Sequence, residues 1–405
     1  MDALVFLMNN PSVSDALRTY TDFYKVLIMD KNQCSDAAKV QDVFDEIRIV
    51  TDIQDKTQLE SVLVSIAAAR KVRAVYGTYE HVVEMAGYLR ETFSIPGMNH
   101  HQSLMVRNKP LMKQVLSAGG IRTAQGRKVS GLVDLGSFIT KYKFPLILKP
   151  VAGAATKNTH KIGKSMDLLN PRLMRDVWKS KEWLAEMYIE GEEYHCDTVV
   201  VDGHVRFVSV AKYLFNCIDT LDGQKPFGTI NFPSHYQASD VQYEIKKMNE
   251  QAIRCLGIKN AVCHMEVFID SGGQPIFGEI AARIGGSPYI GECIKNTHGI
   301  DINQGFIDAE LGLFRQEDAV SRPMFTGMVA FPSKKGKIAH ISEIEEFAHI
   351  EGVKKVTIFN KKGDRISRQK STSIRLGYII IEDREYDRLR AKLLAAYDQF
   401  TVSVE

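Results

Sequence analysis

The segment His264-Met265-Glu266-Val267-Phe268-Ile269-Asp270-Ser271-Gly272-Gly273-Gln274-Pro275-Ile276-Phe277-Gly278-Glu279-Ile280-Ala281-Ala282-Arg283-Ile284-Gly285-Gly286 holds two extended runs separated by a turn. From Val262 to Asp270 the chain alternates like a strand, with Val262, His264, Glu266 and Phe268 on one face. Ser271 to Gln274 reads as a hairpin loop and Pro275 to Arg283 as the returning strand. A four-residue loop pairs Asp270 with Pro275, and counting back sets Glu266 opposite Glu279. Both side chains then share a face, with Cβ atoms roughly 4.5–5.5 Å apart. Two carboxylates so placed repel each other unless a positive charge lies between them, and hard oxygen ligands suit Mg²⁺ beside nucleotide phosphates. On this register Arg283 shares the strand and the face of Glu279, where a guanidinium can hold a phosphoryl or carboxylate group. A solvated surface hairpin remains the rival reading, because one residue more or less in the loop separates the pair.

Outward from this hairpin, the 405 residues suffice for two or three domains with sizeable cores. Composition is that of a soluble globular chain, 44% hydrophobic, 25% charged and 9% aromatic. A net charge of +3 is too small to argue for nucleic acid or a membrane surface, and it is compatible with a phosphate-bearing ligand. Cys34, Cys196, Cys217, Cys255, Cys263 and Cys293 form no CxxC pair and no metal-ligand spacing. Several lie in apolar stretches, which predicts reduced, buried thiols. The N-terminus has no basic region followed by an apolar core and cleavage site. No apolar run reaches the length of roughly 18 residues that a membrane span needs. A cytoplasmic protein is expected.

In chain order, Ala3 to Met8, Lys25 to Met29 and Val72 to Tyr76 read as buried strands, with helical spacing over Ser14 to Tyr24 and Lys56 to Lys71. This alternation favours an α/β layer with a parallel sheet, although no GxGxxG follows the first strand. A further helix over Glu84 to Glu91 stops before Ile95-Pro96-Gly97, a domain boundary. His100 and His101, being adjacent, point in different directions on a helix and are read as exposed. Arg107-Asn108-Lys109-Pro110 opens a helix that Gly119-Gly120 ends.

Phe144 to Pro150 is a strand ending in Lys149, a cation that must find an edge, an acid or a phosphate. The following loop, residues 151–159, is built of small and hydroxylated residues. Such a loop lets backbone N–H groups approach a phosphate, with Thr156, Asn158 and Thr159 as added donors. A flexible hairpin loop is the rival here. Gly163-Lys164-Ser165 is no P-loop, because Asn158 stands where the motif requires glycine. Glu186 and Glu193 flank an apolar hinge that suits a purine, backbone groups reading the adenine edge and a carboxylate taking the ribose hydroxyls. Two solvated acids near a turn is the alternative. Asp240 to Leu256 is one amphipathic helix. Beyond Arg322-Pro323, strands at Met328–Phe331, Val356–Phe359 and Tyr378–Ile381 precede a helix over Glu382 to Tyr397. The lysines there (Lys334, Lys335, Lys337, Lys354, Lys355, Lys361, Lys362) lack interleaved aromatics and read as solvated turns.

Taken together, these stretches resemble the ATP-grasp ligases. Lys109 at a helix start, Lys149 before the small-residue loop, the Glu186–Glu193 hinge, and Glu266 with Glu279 and Arg283 stand in family order. FSIPG followed by RNKPLMKQVLSAGGI is similar to the passage into the family's first nucleotide lysine. EIAARIGG resembles the branch of L-amino-acid ligases and carnosine synthase. The resemblance spans roughly residues 1 to 400. It implies an α/β (α+β) ATP-grasp fold in three parts: an N-terminal parallel α/β domain over 1–105, a two-subdomain nucleotide-binding region over 106–318, and a small β-rich C-terminal domain over 319–405.

By the same resemblance, Lys109 and Lys149 hold the α- and β-phosphates of ATP, with Thr156 in the phosphate loop. Glu186 and the backbone of Met187, Tyr188 and Ile189 hold adenine, and Glu193 holds the ribose. Glu266 and Glu279 ligate one or two Mg²⁺, with Mn²⁺ as a substitute, and Arg283 faces the transferred phosphoryl group. Two departures stand out. Ala281 occupies the position where many relatives carry a metal-binding asparagine, and Ala154-Ala155 replaces glycines of the loop. The implied activity is ligation of a carboxylate to an amine through an acyl phosphate, releasing ADP and phosphate, with amino acids or analogues as small-molecule substrates. No nucleic-acid or membrane partner is implied, and a homodimer is compatible. The alternatives are a carboxylase-type enzyme that activates bicarbonate and an ATP-binding regulatory protein without turnover.

Overall fold

Short β-rich apolar runs near the N-terminus leave no polar face, so they pair where both faces are covered. In the computed structural model, which describes residues 1–33, 37–171, 173–175, 182–221, 223–234, 236, 240–286, 288–315, 322–366 and 375–405, they form the expected parallel sheet. Its order is Glu46–Val50, Tyr24–Asp30, Ala3–Leu7, Val72–Gly77. Glu46–Val50 is missing from the sequence reading because it is a half-exposed edge strand with charge inside it. Helices Lys56–Ala69 and Val83–Thr92 cross over between or beside the strands and bury Leu59, Leu63, Ile66 and Leu89 against the sheet. The helix expected from Ser14 to Tyr24 is instead Pro11–Ala16 and a short turn Leu17–Thr19, because Asn10 caps it early and Tyr24 already begins the next strand.

A small antiparallel sheet follows, in the order Gly126–Val129, Trp183–Met187, Leu146–Pro150, His160–Ile162. Helix Leu132–Tyr142 covers it, and Leu135, Phe138, Leu146, Leu148 and Trp183 form its own core. The larger body is an eight-stranded sheet in the order Pro275–Ala281, Ala261–Asp270, Gly191–Val201, His204–Tyr213, Gly228–Asn231, Phe325–Phe331, Gly377–Asp383, Val353–Ile358. Strands from both sides of residue 319 thus share one sheet. One face packs on helices Lys109–Ala118, Asp240–Leu256 and Tyr386–Gln399, through Met112, Ile245, Ile253 and Leu393. Tyr289–His298 and Ile302–Leu311 cover part of the other face, with the N-terminal sheet beyond them. The last helix begins at Tyr386 rather than Glu382, since Gly377–Asp383 completes a strand against Phe325–Phe331 first.

That second face changes character along its strands. Val199, Val201 and Val262 are buried under Phe306 and its neighbours. By the period-two rule, Asp197, His195 and Glu193 on one strand and His264 and Glu266 on the next continue the same face. The apolar end anchors the sheet and the polar end is left for chemistry.

Candidate active site

The hairpin pairs Glu266 with Glu279, as counted from the sequence, but by a different route. Ile269 rather than Asp270 pairs with Pro275, which lengthens the loop, and a bulge at Gly278 restores the offset before Glu279. Without that bulge Phe277 and Glu279, two residues apart, would share a face. With it, Phe277 enters the core while Glu279 stays partly exposed beside Glu266. A Cβ on Gly278 would stand 2.8 Å from the Glu266 carbonyl oxygen, so the close approach requires glycine. Arg283 corrects the earlier expectation. The strand ends at Ala281, so Arg283 lies beyond it in a loop and is aimed by a contact rather than by the pleat. Its Nε donates to Glu80 Oε2 at 2.6 Å and its Nη1 to the Ile284 carbonyl at 2.8 Å. Arg107 Nη1 takes the other Glu80 oxygen at 2.5 Å. Burial penalises the Arg283 guanidinium, yet Glu80 and, less strongly, Glu279 and Glu266 keep it firmly charged.

The Asn108 side chain accepts the Leu111 N–H at 3.1 Å and so starts the next helix at Lys109. Lys109 Nζ donates to the Gly153 carbonyl of the small-residue loop at 2.7 Å and lies 3.3 Å from Glu279 Oε2. Lys113, one helical turn on and therefore on the same face, meets Glu186 Oε2 at 2.5 Å. Lys149 takes Glu186 Oε1 at 2.6 Å. Burial would raise the Glu186 carboxyl, but the two lysines outweigh it and hold the group down to about 2. Lys149 is likewise penalised by burial and kept charged by Glu186, Glu279 and Glu266. Lys113 escaped the sequence reading, although its spacing from Lys109 was a usable signal. Glu80 and Arg107 had none, since nothing local ties them to residue 283.

Glu193 is buried and accepts the Cys217 N–H at 2.6 Å. Burial first, and then the Glu266 carboxylate, push its carboxyl up to about 8. It therefore lies near the Glu266 carboxylate, on the same face of the sheet. Met187 N–H and Tyr188 N–H donate to the Gln125 and Pro145 carbonyls at 2.9 and 3.2 Å, which fixes the hinge next to Ile189. Thr156 has a left-handed backbone (φ 55°) in the loop. It lines an open cleft of about 500 Å³ shared with Asn158, Lys161, Asp219 and Lys225. Of the thiols, Cys196, Cys217, Cys263 and Cys293 are buried and unpaired by disulfides, as composition suggested; Cys34 lies outside the described residues. Lys354 and Lys355 are paired with Glu382 and Glu292 rather than gathered into a patch. Among the described residues no helix is long and apolar enough to cross a membrane.

A small and a large antiparallel sheet whose lysines and carboxylates meet in buried ion pairs, with a parallel N-terminal layer, agree with the ATP-grasp fold that the sequence resemblance implied. Residues 142–290 match the family described as ATP-grasp domain, and residues 328–405 match L-amino acid ligase C-terminal domain 2. The chain thus carries an ATP-grasp domain followed by an L-amino acid ligase C-terminal domain, and it is an ATP-dependent ligase. It is 28% identical over 364 residues to the L-arginine-specific L-amino acid ligase of Bacillus subtilis, covering 87% of this chain and 86% of that one. The crystal structure of an L-amino acid ligase from Bacillus licheniformis superimposes with a TM-score of 0.83 at 20% identity, over 100% of this chain and 99% of that one. The biotin carboxylase domain of the Hydrogenobacter thermophilus 2-oxoglutarate carboxylase, solved with MgADP, ADP and bicarbonate, gives a TM-score of 0.71 at 16% identity. That match covers 99% of this chain and 90% of that one.

Proposed function

We propose that the protein uses ATP to activate a carboxylate and passes the acyl group to an amine, giving an amide with ADP and phosphate. Amino acids or close analogues are the substrates of this reading, in keeping with relatives named as amino acid ligases. One observation carries it. Lys109 spans Gly153 of the small-residue loop and Glu279 of the carboxylate pair, so the loop that would cradle a phosphate and the acids that would hold its metal meet at one cation.

The donor set fits Mg²⁺. Glu266 and Glu279 offer hard carboxylate oxygens from paired strands, while Ala281 offers none, so the pair would hold one ion, with Mn²⁺ able to replace it. Bound ATP and metal supply the phosphoryl donor and neutralise its charge. The protein's own groups do the rest. Lys109 and Lys149 turn to the phosphates, with Thr156 and its loop closing over them. Lys113 keeps Glu186 paired when Lys149 leaves it, so that Glu186 and the backbone groups of Met187–Ile189 outside the Met187 and Tyr188 N–H bonds read adenine while Glu193 takes the ribose. Arg283, aimed by Glu80, steadies the oxygens of the activated carboxylate, which is where preorganised donors stabilise most. In this scheme residues 1–105 supply Glu80, 106–318 the nucleotide site and 319–405 a wall of the acceptor side.

Phosphate release screened over pairs of amino acids with ATP and Mg²⁺ tests the reading. Release that requires a particular pair is expected. Release driven by bicarbonate with no amino acid present would overturn it in favour of a carboxylase.

A further inference from the structure

Behind the carboxylate pair lies a buried polar chain that the reaction scheme above leaves unused. Asp197 is fully buried and accepts from two histidines, His195 Nδ1 at 2.7 Å and His264 Nδ1 at 2.9 Å. A carboxylate without a proton can only accept, so both Nδ1 atoms carry hydrogen and both rings are fixed in orientation. The far nitrogen of His195 accepts from the Thr229 hydroxyl, whose Oγ1 is 2.8 Å away. The far nitrogen of His264 points the other way, to within 3.8 Å of Glu266 Oε1. The chain therefore begins at Thr229 on one strand, passes over the strand His204–Tyr213 to His195 and Asp197, and ends through His264 on the next strand against the Glu266 carboxylate.

His195, Asp197 and His264 lie close enough together to suggest a metal site, but their spacing argues otherwise. Nitrogen–oxygen separations of 2.7 and 2.9 Å are those of hydrogen bonds, and each Asp197 oxygen already has its own donor. The packing above them points the same way. A Cβ on Gly285 would stand 2.5 Å from His264 Nδ1 and 2.6 Å from Asp197 Oδ1, so the loop after the hairpin presses directly on the pair and leaves no room for an ion.

We propose that Asp197 and His264 are positioning residues that hold Glu266 in the orientation its metal requires. The proposal rests on the reading of Glu266 and Glu279 as metal ligands. Glu266 is set on a strand, and its backbone is fixed by pairing, yet its carboxylate has several rotamers. The Asp197-locked ring of His264 selects the rotamer facing Glu279, as groups outside a coordination shell commonly do for the ligands inside it.

The test titrates Mn²⁺ into protein saturated with a non-hydrolysable ATP analogue and reads free Mn²⁺ by electron paramagnetic resonance. Asp197→Asn and His264→Asn should each weaken Mn²⁺ binding about 10–100-fold. Binding of the analogue in EDTA should change by less than about twofold, since the lysines and hinge are untouched. His264→Asn places an amide near the old Nδ1 and keeps a partner for Asp197, so it decides the matter if Asp197→Asn does not fold. Glu279→Gln is the control for the underlying reading. If Glu279→Gln loses Mn²⁺ while the folded Asp197 and His264 variants bind it like wild type, the positioning role is wrong. If Glu279→Gln itself keeps wild-type affinity, the metal assignment fails first and the positioning role with it.

Discussion

Glu279 touches Lys109 and pairs with Glu266 across the hairpin, which makes it the residue whose charge the site can least do without. Glu279→Gln keeps the shape and hydrogen-bonding capacity and removes the charge. It should leave the thermal unfolding midpoint within a few degrees of wild type and lower turnover about 10²–10³-fold, the usual cost of losing one preorganised electrostatic contact. Near wild-type turnover at saturating Mg²⁺ would remove Glu279 from the chemistry. What the sequence disclosed at this scale follows a simple physical line. Lys109, Lys149, Glu186, Glu266 and Glu279 sit at element ends or on alternating strands, where periodicity fixes their direction. Lys113 was within reach of the same logic. Glu80 was not, because its meeting with Arg283 joins segments 203 residues apart, and Arg107 is drawn into the site only through Glu80.

At the scale of elements, the hairpin shows why counting along strands succeeds and fails together. The loop was read one residue too short, and the bulge at Gly278 cancels the error before Glu279. Arg283, two residues past the strand's end, shows the opposite case, since alternation carries no information once pairing stops. The bulge also makes a prediction. A methyl group at Gly278 would press on the Glu266 carbonyl, so Gly278→Ala must straighten or shift the pair of strands. It should cost about 1–3 kcal/mol in urea denaturation. It should also lower turnover by at least the amount that Glu279→Gln does, because both carboxylates move. A stable variant with unchanged turnover would mean that the bulge does not set the carboxylate geometry.

The whole molecule is held together by one large sheet whose two faces carry separate cores, and its acid stability should report how those cores were sealed. His298 is buried between Ser209 Oγ, 3.0 Å from Nε2, and Ser234 Oγ, 3.1 Å from Nδ1. Burial, with Lys246 adding to it, pushes this imidazole down to about 4. Its folded value lies below the unfolded one near 6.5, so its contribution is complete above pH 6.5 and lost as pH falls toward 4. The loss is about 1.4 kcal/mol per pH unit across that window. His298→Gln should flatten that part of the stability–pH curve, measured by urea unfolding between pH 7 and 4. An unchanged slope would place the acid sensitivity elsewhere. The parallel layer, the hinge and the hairpin were all legible as separate stretches. That strands on both sides of residue 319 join one sheet was not, because strand order is set by long-range pairing that local alternation does not encode.

The central claim is that ATP is cleaved at its terminal phosphate to make an acyl phosphate. Lys109 joins the small-residue loop to the Glu266–Glu279 pair, and in the proposed scheme these groups hold that end of the nucleotide. The most direct measurement supplies ATP, Mg²⁺, the preferred carboxylate and hydroxylamine in place of the amine, and quantifies every product. Hydroxamate, ADP and phosphate formed in equal amounts are predicted, with a much smaller hydroxamate yield from Arg283→Ala. AMP and pyrophosphate as the stoichiometric products would contradict the account.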